Sequence, residues 1–182
     1  MSKGMLYRAG LLLAVGVAVL AVSPALAGSA QKSAKRTSTV VSKCSFQLKP
    51  NRFFKEGCRW AKDIYAVRSG GKLTIRDKSG EPHTVSVVKK SDLPRNIRQV
   101  GKCFEGGVCG QLAGAHGFPE GEGPPANPVV NVGAAGFDAP GDSVVVEPKQ
   151  TTKVDVSAKK GTKLFFMCIL HPQMQARINV KK

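Results

Sequence analysis

Acidic and aromatic residues are scarce in this 182-residue chain: 12 Asp and Glu stand against 28 Lys and Arg, and aromatics make up 6%. The formal charge of +16 could suit nucleic acid, but one Trp, two Tyr and no basic motif interleaved with aromatics argue against it. Three histidines are too few for the extra metal cluster of a multinuclear redox enzyme. No internal repeat is visible, so a repeat array is excluded. The one long apolar run, Ala9 to Val22, falls short of the roughly 20 residues of a membrane span.

That run has another meaning. Lys3 and Arg8 precede it, and Pro24-Ala25-Leu26-Ala27 ends it in the small-x-small pattern of a cleavage site. The sequence therefore predicts a signal peptide over 1–27 and an exported protein, periplasmic, extracellular or held at the cell envelope. No cysteine follows the expected cut, which argues against a lipid anchor; a retained N-terminal anchor is the alternative. Residues 28–38 are small, polar and basic and read as a flexible leader. The rest, 39–182, is one domain with enough chain for a buried core.

Charge is distributed unevenly. From Cys103 to Pro148 there is no Lys or Arg, while Glu105, Glu120, Glu122, Asp138, Asp142 and Glu147 all fall there. The expectation is an acidic insert on a strongly basic body, and a partner that is itself acidic or an anionic envelope surface. A solvated loop that merely lacks lysine is the plainer reading.

Five cysteines in an exported chain leave one over. Cys44, Cys58, Cys103 and Cys109 can form two disulfides in an oxidising compartment, in any of three pairings. Proximity favours Cys44 with Cys58 and Cys103 with Cys109. The first would close a loop of about 15 residues and contribute roughly 3 kcal/mol on the chain-entropy account.

From Thr39 onward, short alternating segments split by glycine turns predict an all-β sandwich or barrel. Strands are expected at Ile64–Val67 and Leu73–Arg76, with a tight connection at Ser69-Gly70-Gly71, then at Thr84–Val88, Ser143–Val146, Lys153–Val156, Lys163–Cys168 and Ala176–Val180. Between Ser91 and Gly141 the pattern weakens, and half of the 20 glycines crowd into Gly106–Gly141. This long Gly/Pro-rich stretch reads as a functional loop or mobile excursion. A helical turn within Asp92–Val100 and an edge strand within Asn127–Val132 are the only elements suggested there. His116, in Ala113-Gly114-Ala115-His116-Gly117, reads as an exposed loop histidine outside any metal site.

The unpaired cysteine sits in Cys168-Ile169-Leu170-His171-Pro172-Gln173-Met174, and His83 lies upstream in Glu81-Pro82-His83-Thr84-Val85. A thiolate, two imidazoles and a thioether are the donor set of a blue-copper electron-transfer centre, and soft sulfur with imidazole suits both Cu(I) and Cu(II). The Cys168–Met174 spacing lets one loop wrap one ion, with Pro172 stiffening it. If Leu164, Phe166 and Cys168 share a strand face, the thiol points into the apolar interior. Taken singly, each of these residues is ordinary core.

These segments, with Lys159-Lys160-Gly161-Thr162-Lys163-Leu164-Phe165-Phe166-Met167-Cys168 before the loop and Gln175-Ala176-Arg177-Ile178-Asn179-Val180 after it, resemble the plastocyanin/azurin-like cupredoxin family. The Cys-x-x-His-Pro-x-Met loop looks most like the amicyanin type, and the resemblance covers roughly 60–90 and 140–182. It implies a cupredoxin-like Greek-key β-sandwich carrying the insert of about 91–141. It further implies one type 1 copper ion held by His83, Cys168 and His171, with Met174 as weak axial ligand. The implied function is a monomeric one-electron carrier, not an enzyme. It also implies that Ile169, Leu170 and Pro172 form an apolar docking patch around His171; the other reading is that they pack inward. Copper binding and delivery without a redox circuit is the alternative function. The insert and the four further cysteines depart from the family pattern.

Overall fold

Backbone pairing decides where the alternating segments settle. The computed structural model describes residues 35–118 and 123–182, so the expected signal peptide and residues 28–34 of the leader lie outside the described residues. Among the described residues, ten strands make two sheets. The first runs, edge to edge, β2 (Phe53–Trp60), β1 (Thr37–Lys49), β4 (Gly71–Arg76) and β8 (Thr151–Val156). The second runs β3 (Ile64–Arg68), β10 (Gln175–Lys181), β9 (Lys163–Met167), β5 (His83–Val88), β7 (Ser143–Val146) and β6 (Val129–Val130). Every strand expected from the sequence is present. β1 begins at Thr37, inside the span read as leader, because Thr37 and Ser38 find backbone partners in Lys72 and Leu73 of β4.

The sequence suggested a hairpin at Ser69-Gly70-Gly71. Instead β3 and β4 belong to opposite sheets, and the glycines carry the chain across. Gly70 sits at φ +71°, and a Cβ on Gly71 would meet the carbonyl oxygen of Arg36 at 2.3 Å. The long β1–β2 hairpin was not apparent in the sequence, since its outer half has no buried face to impose alternation.

Between the sheets lies one apolar core. Val40, Leu73, Ile75, Val85, Val87, Leu164, Phe166, Ile178 and Val180 all turn into it. β10 alternates as a half-buried strand should, whereas β5 and β7 are buried at every position. The reason is the insert. Residues 91–141 are not a structureless excursion: they contain helices α1 (Ile97–Phe104) and α2 (Val108–His116), packed over the outer face of the six-stranded sheet. Asn96 caps α1 by accepting the Gln99 N–H at 3.0 Å. Val88, Met167 and Ile169 from the sheet meet Cys103, Cys109 and Leu112 from the helices in a second apolar cluster. α2 was invisible in the sequence because Val108–His116 is Gly- and Ala-rich, without an amphipathic period.

The cysteines pair as proximity suggested: Cys44 with Cys58 across the β1–β2 ladder, and Cys103 with Cys109 between the helices. Cys168 is the free thiol, fully buried.

Candidate metal centre

Antiparallel pairing of β5 with β9 aligns Ser86 with Met167, so the start of β5 and the end of β9 meet at one pole of the sandwich. His83 is the first residue of β5, and Cys168 follows the last residue of β9. Leu164, Phe166 and Cys168 share the inward face, the phase expected from alternation. The loop from β9 to β10 then folds back on itself. The Cys168 N–H donates to the Met174 carbonyl at 3.0 Å, and the Met174 N–H to the His171 carbonyl at 2.8 Å. The Trp60 indole N–H also donates to the Met174 carbonyl, at 3.0 Å, and its ring packs edge-on against His83. Gln175 ties the loop to Pro94 and Pro172 through their carbonyls, at 2.7 and 2.8 Å.

Three of the four expected donors converge. Nδ1 of His83 and Nδ1 of His171 each lie 3.7 Å from Sγ of Cys168, and the three ligand atoms fall within 4.8 Å of one another. Met174 is buried in the same apolar cluster as Cys168. His83 and Cys168 are buried, while His171 keeps 17% of its side chain exposed. His171 is thus the edge of the site that reaches solvent.

The imidazoles are held by their other nitrogens. His83 Nε2 bonds Ser79 Oγ at 2.9 Å, and Ser79 Oγ donates to Asp77 Oδ1 at 2.7 Å. Asp77 also accepts from Ser42 Oγ, from the Ser79 N–H at 2.9 Å and from the Lys149 N–H at 2.8 Å. Burial alone would raise its carboxyl, yet these donors hold it below the usual range. His171 Nε2 lies 3.1 Å from Glu81 Oε2. Both rings therefore aim Nδ1 at the sulfur, and such outer partners fix tautomer and orientation at metal-binding histidines.

Electrostatics favour a cation at this point. Burial pushes the Cys168 thiol up, so it stays protonated unless positive charge compensates, even though the Thr84 N–H donates to its sulfur at 3.3 Å. Burial pushes His83 down to about 4, with His171 adding to the effect and Asp77 and Glu81 opposing it, so its ring is neutral and its lone pair available. A single S–H proton can satisfy only one of two facing nitrogens. One metal ion would satisfy both, with Nδ1 of His83, Nδ1 of His171 and Sγ of Cys168 as the atoms that would hold it. The residues fit a single ion with soft and borderline preferences. Cys44 and Cys58 also lie near His83, but their disulfide leaves no thiolate to bind.

Two expectations are corrected. Ile169 and Pro172 do not line an apolar docking patch: both are buried, Ile169 beneath the helices, and only Leu170 stays partly open. The outer face of His171 carries the half-exposed Glu81 carboxylate instead. His116 is not an exposed loop residue. It ends α2 fully buried, where the helix packs against the sheet.

Sequence reasoning missed Asp77, Ser79 and Glu81, which lie in the irregular connection from β4 to β5 just before His83. Thr84, Trp60 and His116 carried no local signal.

No protein-family model matches the chain, and no curated protein does. Several solved structures are similar to it. Dithionite-reduced auracyanin from Roseiflexus castenholzii aligns over 82% of this chain and 100% of its own at 14% identity, with a TM-score of 0.42. Auracyanin A, a blue copper protein of Chloroflexus aurantiacus, aligns over 80% and 98% at 15% identity and 0.41. A Cu(I) mutant of amicyanin aligns over 80% and 83% at 11% identity and 0.39. The functional reading rests on the chain's own strand order and donor geometry.

Proposed function

We propose that this protein is an exported type 1 copper protein that carries single electrons. One copper ion, held by His83, Cys168 and His171 with Met174 as weak axial ligand, would supply the Cu(I)/Cu(II) couple. The observation that carries this is the pair of 3.7 Å separations between the Cys168 sulfur and the two Nδ1 atoms, in a pole where the thiol is wholly buried.

The chain's own residues account for the rest. Asp77 and Ser79 fix the His83 ring, and the three backbone and indole bonds on Met174 and Cys168 hold the loop closed. Such a preorganised site has little to rearrange when charge changes, which keeps transfer fast. Burial of Cys168 and His83 excludes water, and the partly open His171 is the route by which an electron enters or leaves. Among the described residues no helix is long and apolar enough to cross a membrane. The partner we propose is an acidic redox protein, attracted by the basic chain, +14 once Lys3 and Arg8 leave with the signal peptide (16 − 2), with association that slows as salt rises. The working form is a monomer in the periplasm or outer envelope.

Adding Cu(II) to the purified protein should give an intense blue thiolate-to-copper band at one ion per chain, reversibly bleached by a reductant and missing in Cys168→Ser. Colourless, non-stoichiometric uptake would overturn the reading. Blue protein that gives its copper to an acceptor but cannot be cycled would favour delivery over electron transfer.

A further inference from the structure

His116 does not touch the proposed copper ligands, yet a series of buried hydrogen bonds leads from its ring to the side chain of Thr84, whose backbone N–H bonds the Cys168 sulfur. Its Nδ1 lies 2.6 Å from the Asn127 carbonyl, which can only accept, so Nδ1 carries a proton. Its Nε2 lies 2.7 Å from Ser143 Oγ on β7. Ser143 faces Ser86 of β5 across the ladder, with the hydroxyls 2.6 Å apart. Two residues along β5, Ser86 Oγ lies 2.9 Å from Thr84 Oγ1. Thr84 then meets the site twice: its Oγ1 accepts the Ile169 N–H at 2.9 Å, and its own N–H donates to Cys168 Sγ at 3.3 Å. Thr84, Ser86, Ser143 and His116 are all fully buried.

Each hydroxyl has one proton, so the series has a direction. With Ser86 donating to Thr84, Ser143 must donate to Ser86, and His116 Nε2 must donate to Ser143. That order needs protons on both ring nitrogens. With a neutral ring, Nε2 accepts from Ser143 and Ser143 accepts from Ser86, so Ser86 no longer donates to Thr84. The two orders differ in whether Thr84 Oγ1, which also accepts the Ile169 N–H, receives the Ser86 proton. Among the described residues, no charged side chain is hydrogen-bonded to this series. The ring of Phe118, the Asn127 carbonyl and the hydroxyls on β5 and β7 surround His116, while the neighbouring Asp142 carboxylate is taken by the N–H groups of Val132, Asp138 and Ala139. Burial holds the ring below its ordinary range, opposed by the Asn127 carbonyl.

We infer that His116 is a positioning residue for the copper centre: it sets the direction of the Ser143–Ser86–Thr84 hydroxyl series and thereby tunes the thiolate from the far side of the sheet. This rests on the blue-copper reading. It also gives the insert a function, since α2 delivers His116 and the segment after it delivers the Asn127 carbonyl.

The test uses the full mature protein, its His116→Gln and His116→Phe variants, and Ser86→Ala, which cuts the series while leaving the ring in place. In metal-free protein, nuclear magnetic resonance follows the His116 ring and the Thr84 and Ile169 amides against pH. The amide shifts should move with the ring titration in the unaltered protein, and this coupling should be lost in Ser86→Ala. In copper-loaded protein, the reduction potential and the blue band should carry a pH step at the same midpoint. That step should vanish in His116→Gln and Ser86→Ala. Amides that ignore the ring titration, or a step unchanged in His116→Gln, would overturn the inference. Should His116→Phe fail to fold, Ser86→Ala and His116→Gln decide it. Absence of one-to-one blue copper would overturn the copper reading, and the metal-free amide coupling would then decide the series by itself.

Discussion

The sulfur of Cys44, bridged to Cys58, lies 3.5 Å from Nε2 of His83. The disulfide therefore both staples the first hairpin and walls one side of the site histidine. The double replacement Cys44→Ser with Cys58→Ser should lower stability by about 3 kcal/mol, the chain-entropy value for a loop of this size, measured by urea unfolding. It should also loosen His83 and broaden the blue band of the copper-loaded protein. A stability loss with an unaltered spectrum would confine the bridge to a structural role.

Met174→Leu conserves volume at a buried position and should cost less than about 1.5 kcal/mol. The blue colour should survive while the reduction potential shifts, because the thioether would be only a weak axial donor. Loss of colour would mean that Met174 is a principal ligand.

Glu81→Gln removes the negative charge 3.1 Å from His171 Nε2 without removing an acceptor. With less negative charge at the site, Cu(I) gains over Cu(II) and the potential should rise. The rise should shrink in high salt, since the carboxylate is 52% exposed. Voltammetry at two ionic strengths checks both points, and an unchanged potential would show that the carboxylate does not act on the metal.

The metal-free protein should lose stability as pH falls from about 6.5 towards 4. Folding holds His83 at about 4 and depresses His116, so below their ordinary value of 6.5 the unfolded chain binds protons that the folded chain refuses. His83 alone accounts for on the order of 3 kcal/mol across that window. Asp77, held below 3.8, adds its loss only at lower pH. Denaturant midpoints at pH 7 and pH 5 test this; equal midpoints would refute it.

Much of the sandwich was legible because its strands have one dry face, and Leu73, Ile75, Leu164, Phe166, Ile178 and Val180 print that face at every second position. Departures came where a second surface intervened. β5 and β7 lost their alternation because α1 and α2 cover their outer side, and α2 itself is short, small-residue helix held by the Cys103–Cys109 bridge and by packing. Turn geometry misled at Gly70-Gly71, because a Gly pair that closes a hairpin and one that changes sheets look alike in sequence.

The donor chemistry was likewise a property of the chain. One thiol left over from two neighbouring pairs, with a histidine and a methionine within six residues of it, states what kind of ion could be held, since ligand type is fixed by residue type. What surrounds those donors was not in the sequence. Packing of the helices on the sheet buried Ile169, while the connection from β4 to β5 set Glu81 beside His171. It also turned His116, an unremarkable residue in a glycine-rich stretch, into the end of a buried series reaching Thr84. Burial and hydrogen-bond partners arise from segments far apart in the chain, and only the folded sandwich brings them together.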